Sequence, residues 1–274
     1  MRGLVVCPQP QAANVGAAIL ERGGNAFDAA VATAFVQMVV DPFMCGIGGM
    51  GTLQYFNSQE SLHGMIDFHS RAGEKVSPTM WEQDLIGRSE VNGYSMFADY
   101  RSELGYSSIM TPGAVCGFWE THKKLCSWDW QDLLGPAIDI AKNGFSIDQH
   151  VYDFWTRPTP AGIPSGAERV RATEACSKIY LKKNKAFPAV GEIISNTDMS
   201  KTLHTIAKEG SAVFYKGEIA ERIVQDFQSN NAFVTSSDLE NYETSFEKPI
   251  IGYYRDYKIA SNPPPGSGAI LIQM

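Results

Sequence analysis

The stretch Gly23-Gly24-Asn25-Ala26-Phe27-Asp28-Ala29-Ala30-Val31-Ala32-Thr33-Ala34-Phe35-Val36-Gln37-Met38-Val39-Val40-Asp41-Pro42-Phe43-Met44-Cys45-Gly46-Ile47-Gly48-Gly49-Met50-Gly51 decides the fold. Asn25 has the side chain of a helix cap, and Asp28, three residues on, can return a hydrogen bond while favouring the positive end of the helix dipole. Beyond the cap only Thr33 and Gln37 interrupt the apolar run to Val40. A helix apolar nearly all round belongs in the interior of a layered protein. Pro42 ends it, because proline removes a backbone donor and biases Asp41 away from helical geometry. At about 16 residues it falls short of the ~20 that a membrane span needs.

Gly46-x-Gly48-x-x-Gly51 matches a dinucleotide fingerprint literally, but that motif leaves a strand and enters a helix. Here a helix precedes the loop, and the strand-like Thr52-Leu53-Gln54-Tyr55-Phe56 follows it. No acidic residue stands at the ribose-binding distance of ~20 residues, since Asp67 belongs to the end of a second strand-like run. The loop is therefore read as a tight helix-to-strand turn, needing positive φ and close backbone approach.

Composition bounds the rest. A chain of 274 residues, 44% hydrophobic and 19% charged, can bury a large core as one large domain or two small ones. Its formal net charge of −7 has no clustered basic footprint for nucleic acid. The one basic cluster, Lys182-Lys183-Asn184-Lys185, reads as a solvated loop beside an expected strand Lys178-Ile179-Tyr180-Leu181. Five widely spaced cysteines without a C-x-x-C pair read as packing residues, and the histidines lack metal-ligand spacing, so neither metal nor cofactor is expected. Arg2-Gly3-Leu4-Val5-Val6-Cys7 has a charge but no apolar region of signal-peptide length, which leaves a cytoplasmic or periplasmic location open.

Outward from the opening stretch, Ala12 to Arg22 reads as a helix closed by Gly23 and Gly24. Thr52 to Asn57 and Leu62 to His69 read as strands, and residues 77 to 107 as a surface excursion. Helices are expected over Ala114 to Leu125 and over Trp130 to Lys142, the latter capped by Asp129 and stopped by Asn143-Gly144. Thr156 to Glu174, rich in proline and glycine, reads as a loop or a partly ordered connection. Helices resume at Thr197 to Glu209 and Glu218 to Phe227, followed by a short one capped by Thr235 and Asp238. Ile250 to Tyr254 and Tyr257 to Ala260 form an expected hairpin. Ser267 is expected to cap a last helix that has fewer than two turns by Met274, so the chain reads as part of a longer protein.

Several segments together resemble the gamma-glutamyltranspeptidase family of N-terminal-nucleophile hydrolases. They are Gly23 to Ala32, Asp41-Pro42 with Gly46 to Gly49, Thr111 to Phe118, Pro136-Ala137-Ile138 with Ala141 to Phe145, and Phe214-Tyr215-Lys216-Gly217 with Ile219-Ala220. Thr235 with Asp238-Leu239 and Tyr242, and then Pro263 to Gly268, complete the series in family order. The resemblance implies an α+β fold, an αββα sandwich that would be incomplete within residues 1–274, the front part of the large subunit. It implies a precursor that cuts itself into large and small subunits, and a threonine nucleophile freed by the cut, whose α-amine serves as its base. That threonine is expected beyond Met274, so no catalytic residue is assigned within this chain, which alone is expected to be inactive. The small subunit of the same precursor and a small γ-glutamyl or acyl-amide substrate are the implied partners.

One family site is expected here, a strand motif whose arginine clamps the substrate α-carboxylate. Aligned on Asp67-Phe68-His69-Ser70-Arg71-Ala72, the arginine position holds His69 and the following glutamate position holds Ser70. Arginine offers a charged bidentate fork, whereas histidine is mostly neutral at pH 7 and monodentate. Arg71 would share a face with His69 if the strand continued, and so could supply the charge. His69 and Arg71 are therefore the candidate substrate-binding residues. The alternative is a satisfied strand-end histidine and an arginine paired with a surface carboxylate. Three functions stay open: a γ-glutamyl hydrolase or transferase, an acylase of different acyl specificity, and a non-catalytic scaffold.

Overall fold

The computed structural model describes residues 3–160 and 162–274. Arg2, in the amino-terminal stretch read above, and Ala161, inside the proline-rich connection, lie outside the described residues. The chain begins with α1 (Pro10–Glu21) and α2 (Ala26–Val40), then β1 (Gly51–Asn57), β2 (Leu62–Phe68), β3 (Leu85–Arg88) and β4 (Ser95–Phe97). Next come α3 (Ala114–Leu125), α4 (Trp130–Asn143), β5 (Phe145–Ser146), α5 (Gln149–Thr156), α6 (Gly166–Arg171), α7 (Glu174–Tyr180) and β6 (Ile193–Ile194). The last part holds α8 (Thr197–Glu209), α9 (Ala212–Tyr215), α10 (Glu218–Ser229), α11 (Ser236–Glu240), β7 (Ser245–Glu247), β8 (Ile250–Tyr254), β9 (Tyr257–Ser261) and α12 (Gly268–Gln273).

The apolar run does form the central helix. Eleven of the 15 residues of α2 are buried, as expected of an interior helix, and α1, α3 and α4 pack around it. Val31, Ala32, Phe35 and Val36 are fully buried, and each larger one contributes about 1.5–3 kcal/mol. The Asn25–Asp28 capping box is present in both directions. Asp28 does more than cap: it also accepts hydrogen bonds from Ser127 N (2.8 Å), Ser127 Oγ (2.6 Å) and Trp128 N (3.1 Å), tying α2 to the α3–α4 turn.

The sheet is antiparallel in the order β1-β2-β7, with Gly51 opposite Phe68 and Thr52 opposite Asp67. Helix α3 lies over one face of it, where Phe118 touches both Phe68 (5.2 Å between ring centroids) and Phe35 of α2 (5.7 Å). Helices and antiparallel strands are thus segregated into layers, an α+β arrangement. The remaining strand pairs are the short hairpins β3-β4 and β8-β9 and the pair β5-β6.

Three local expectations fail, and one is incomplete. Lys178 to Leu181 is not a strand, because α7 runs through Tyr180 from a Thr173 hydroxyl cap on Cys176 N; three apolar residues are too few to override a helix start. The connection from Thr156 to Glu174 contains α6, started by a Ser165–Glu168 capping box that the prolines and glycines mask. Asp129 and Ser267 occupy cap positions without a side-chain cap bond. The glycine loop needs no positive φ at Gly46, Gly48, Gly49 or Gly51. Only close approach is required, since a Cβ on Gly49 would lie 2.9 Å from Gly46 O and one on Gly51 2.9 Å from the Phe68 ring.

Candidate functional site

Strand β2 stops at Phe68, so strand alternation does not govern His69 and Arg71. The chain leaves the strand there, and Asp67 Oδ1 accepts both His69 backbone N (2.8 Å) and, at 2.7 Å, His69 Nδ1. The Tyr242 hydroxyl donates to His69 O at 2.7 Å and holds the segment from the other side. The Asp67 carboxylate can only accept, so Nδ1 carries the ring hydrogen and Nε2 of a neutral ring is an acceptor.

Arg71 is engaged elsewhere. Its backbone bridges Thr111 in both directions (3.2 and 2.8 Å), while its Nη2 donates to Glu243 O at 2.8 Å and its guanidinium lies 5.4 Å from the centre of the Tyr242 ring. Among the described residues no carboxylate pairs with it within 4 Å. Ser70 Oγ donates to Met50 Sδ at 3.0 Å and approaches Met110 Sδ at 3.6 Å. The positions flanking His69 therefore bring thioethers and an exposed guanidinium with one N–H engaged.

The glycine loop supports this corner. Gly49 O accepts from both Gly113 N (2.9 Å) and Ala114 N (3.0 Å), which docks Thr111-Pro112-Gly113 and the start of α3 onto the loop. Gly113 is required by space, since a Cβ there would strike Phe68 O and the Tyr242 hydroxyl. Tyr215 fastens the same turn: its hydroxyl donates to Pro112 O (3.0 Å) and accepts from Cys116 N (3.1 Å), and its ring stacks on Tyr242 at 5.6 Å. Burial pushes the Tyr215 and Tyr242 hydroxyls above the ordinary phenol range, so both remain protonated donors. Tyr215 and Tyr242 stood out in the sequence only as parts of matching segments. Met50, Met110 and the Glu243 carbonyl carried no signal, because thioethers and a backbone oxygen become site groups only through placement.

The other singled-out groups are structural. Burial pushes the Cys45 thiol up to about 12 and also raises Cys7, Cys116 and Cys126, against thiolate chemistry at neutral pH. All five cysteines are free and half-buried, which fits packing roles. Asp28 is committed to its four hydrogen-bond donors, and His122 Nε2 lies 3.0 Å from Trp128 O. No group of three or more histidine, cysteine and carboxylate side chains among the described residues is placed to hold a metal. None of the described helices is long and apolar enough to cross a membrane.

Comparison with known proteins identifies the scaffold. A family profile described as gamma-glutamyltranspeptidase matches residues 12–274. The chain is 32% identical over 273 residues to a glutathione hydrolase proenzyme of Bacillus subtilis (strain 168), covering 99% of this chain and 43% of that protein. It is 30% identical over 273 residues to an acylase ACY 1 proenzyme of Pseudomonas sp. (strain SE83), covering 99% of this chain and 46% of that protein. The crystal structure of Helicobacter pylori gamma-glutamyltranspeptidase superposes with a TM-score of 0.87 at 32% identity, over 99% of this chain and 73% of that one. The chain thus spans less than half the length of these curated relatives.

Proposed function

Because the chain belongs to the gamma-glutamyltranspeptidase family, we propose that residues 1–274 are the front, large-subunit portion of an amidase precursor that cleaves γ-glutamyl amide bonds. The nucleophile in this reading is a threonine in sequence following residue 274, made amino-terminal by self-cleavage. Its own α-amine takes the hydroxyl proton as the oxygen attacks the amide carbonyl and returns it to the departing amine as the C–N bond breaks; water or a second amine then attacks the ester and frees the threonine hydroxyl. The small subunit of the same precursor completes the site, and this chain alone is inactive. The acyl group lies against His69, with Arg71 bounding the same site from the Tyr242 side.

The observation that carries the reading is the match across residues 12–274 to a family whose relatives here are proenzymes of about twice this length. An acylase with a different acyl group is the second reading, favoured by His69 standing at the family arginine position and by an acylase proenzyme among the relatives. Expression of the complete precursor tests both. Mass spectrometry is expected to find two subunits, the smaller beginning with threonine, and the processed protein is expected to release p-nitroaniline from γ-glutamyl-p-nitroanilide. A processed protein that cleaves other acyl anilides but not this one supports the acylase, and an uncut, inert product supports a scaffold.

A further inference from the structure

Resting on the reading of this chain as the front of a longer precursor, we propose that residues 3–7 form a β-strand in the complete protein, paired with a strand from the part of the precursor that follows residue 274. The segment alternates as a strand does. Gly3, Val5 and Cys7 face the helices: a Cβ on Gly3 would lie 2.8 Å from Leu20 Cδ1, Val5 Cγ1 lies 3.0 Å from where a Cβ on Gly16 would stand, and Cys7 Sγ donates to Gln37 Oε1 at 2.9 Å. Leu4 and Val6 point the other way and are 87% and 85% exposed. Among the described residues, however, no backbone–backbone hydrogen bond reaches residues 3–7, and they belong to none of the sheets. An open row of N–H and C=O groups is a template for a further strand.

The groove beside the segment indicates what fills it. Its volume is about 410 Å³, with Leu4 and Val6 among its walls and Ala26, Ala30 and Ala34 of α2 along its floor. Ala26 and Ala30 are exposed, although the one charged residue of α2, Asp28, is fully buried. A helix side built to face water carries charged or polar groups, so this uncovered alanine side is an interior surface. A strand seated there pairs with the open backbone and rests on the small side chains, and its own side chains stand beside Leu4 and Val6. A second copy is a poor occupant, because a five-residue strand paired with its twin buries far less than the ~1,000 Å² of a stable interface. The precursor has the chain to supply it, since residues 1–274 cover 43% of the Bacillus subtilis glutathione hydrolase proenzyme.

Two measurements on the complete protein test this pairing. Hydrogen exchange read at single residues is expected to show one alternate pair among the amides of Leu4, Val5, Val6 and Cys7 protected at least about a hundredfold, because successive N–H groups of a strand point to opposite sides. p-Benzoylphenylalanine in place of Val6 is expected to crosslink on irradiation to a peptide from sequence following residue 274, since cross-strand neighbours lie about 5 Å apart. Four amides exchanging at free-chain rates overturn the strand, and a crosslink confined to residues 1–274 or joining two copies overturns the partner. The exchange measurement needs no variant. Should the substituted protein fail to fold, protection in unsubstituted protein that sediments as a single copy supports the assigned partner, and protection found only in a dimer overturns it. A crosslinked precursor that stays uncut and inert keeps the strand and overturns the amidase reading alone. A processed, active enzyme with four unprotected amides overturns the strand alone.

Discussion

Replacing Asp28 by asparagine probes the junction that holds the central helix in place. The fully buried carboxylate accepts four hydrogen bonds: Oδ1 from Ser127 N (2.8 Å) and Trp128 N (3.1 Å), Oδ2 from Asn25 N (2.7 Å) and Ser127 Oγ (2.6 Å). In Asp28→Asn the amide oxygen can keep the first pair, and the Ser127 hydroxyl can turn to accept from the amide nitrogen. Asn25 N–H then faces a donor, and one orphaned buried donor costs about 1–3 kcal/mol. The two retained bonds lose their charge assistance, roughly 1 kcal/mol between them after relaxation. The sum is about 3 kcal/mol, or a fall in Tm of about 6–12 °C for a domain near this size. Differential scanning fluorimetry at neutral pH measures it, and hydrogen exchange should localise the loss to α2 and the α3–α4 turn. A Tm within about 2 °C of wild type would refute the assignment of Asp28 as the junction. The pH dependence gives an independent arm. Burial by itself raises the Asp28 pKa, but hydrogen bonds from Ser127, Asn25 and Trp128 outweigh it and hold the carboxyl below its usual value of 3.8. A depressed folded-state pKa makes this stabilisation complete above pH 3.8 and lost as pH falls through the folded-state value. The asparagine variant should lack that acid-sensitive component.

Three further outcomes test the candidate site. Gly113→Ala should destabilise by about 2–4 kcal/mol, because its methyl group meets the Phe68 carbonyl, which cannot give way; urea denaturation showing less than about 1 kcal/mol would refute the close approach. Tyr242→Phe removes the 2.7 Å bond to His69 O and should cost about 0.5–1.5 kcal/mol while lowering kcat/KM by loosening the segment that carries His69. Unchanged kinetics on the processed protein would separate Tyr242 from His69. Arg71→Ala should lower stability by about 0.5–1 kcal/mol through loss of its contact with the Tyr242 ring, leaving the KM for γ-glutamyl-p-nitroanilide within about twofold. A tenfold rise in KM at unchanged Tm would instead place the guanidinium on substrate carboxylate.

Residues 23 to 51 determined by themselves that a buried, boxed helix runs into a glycine turn and a strand, because capping and apolar continuity are local properties. The same locality made α8, α10, α11 and the β8-β9 hairpin legible. It failed where signals compete within a few residues: Lys178 to Leu181 looks like a strand until Thr173 is seen to start a helix upstream. For the site, the sequence named the right pair of side chains to inspect but not their directions. Strand alternation would have put His69 and Arg71 on one face, yet β2 ends at Phe68, and the two turn to Asp67 and to Glu243. Asp67 is two residues from His69, whereas Tyr242 and Glu243 are more than 170 residues away. Hydrogen-bond partners at that separation exist only once α11 and β7 are docked against the end of β2. Their placement pins the His69 carbonyl and engages one N–H of Arg71, so the arrangement of the site is a tertiary property, while the identity of the scaffold is written along the chain.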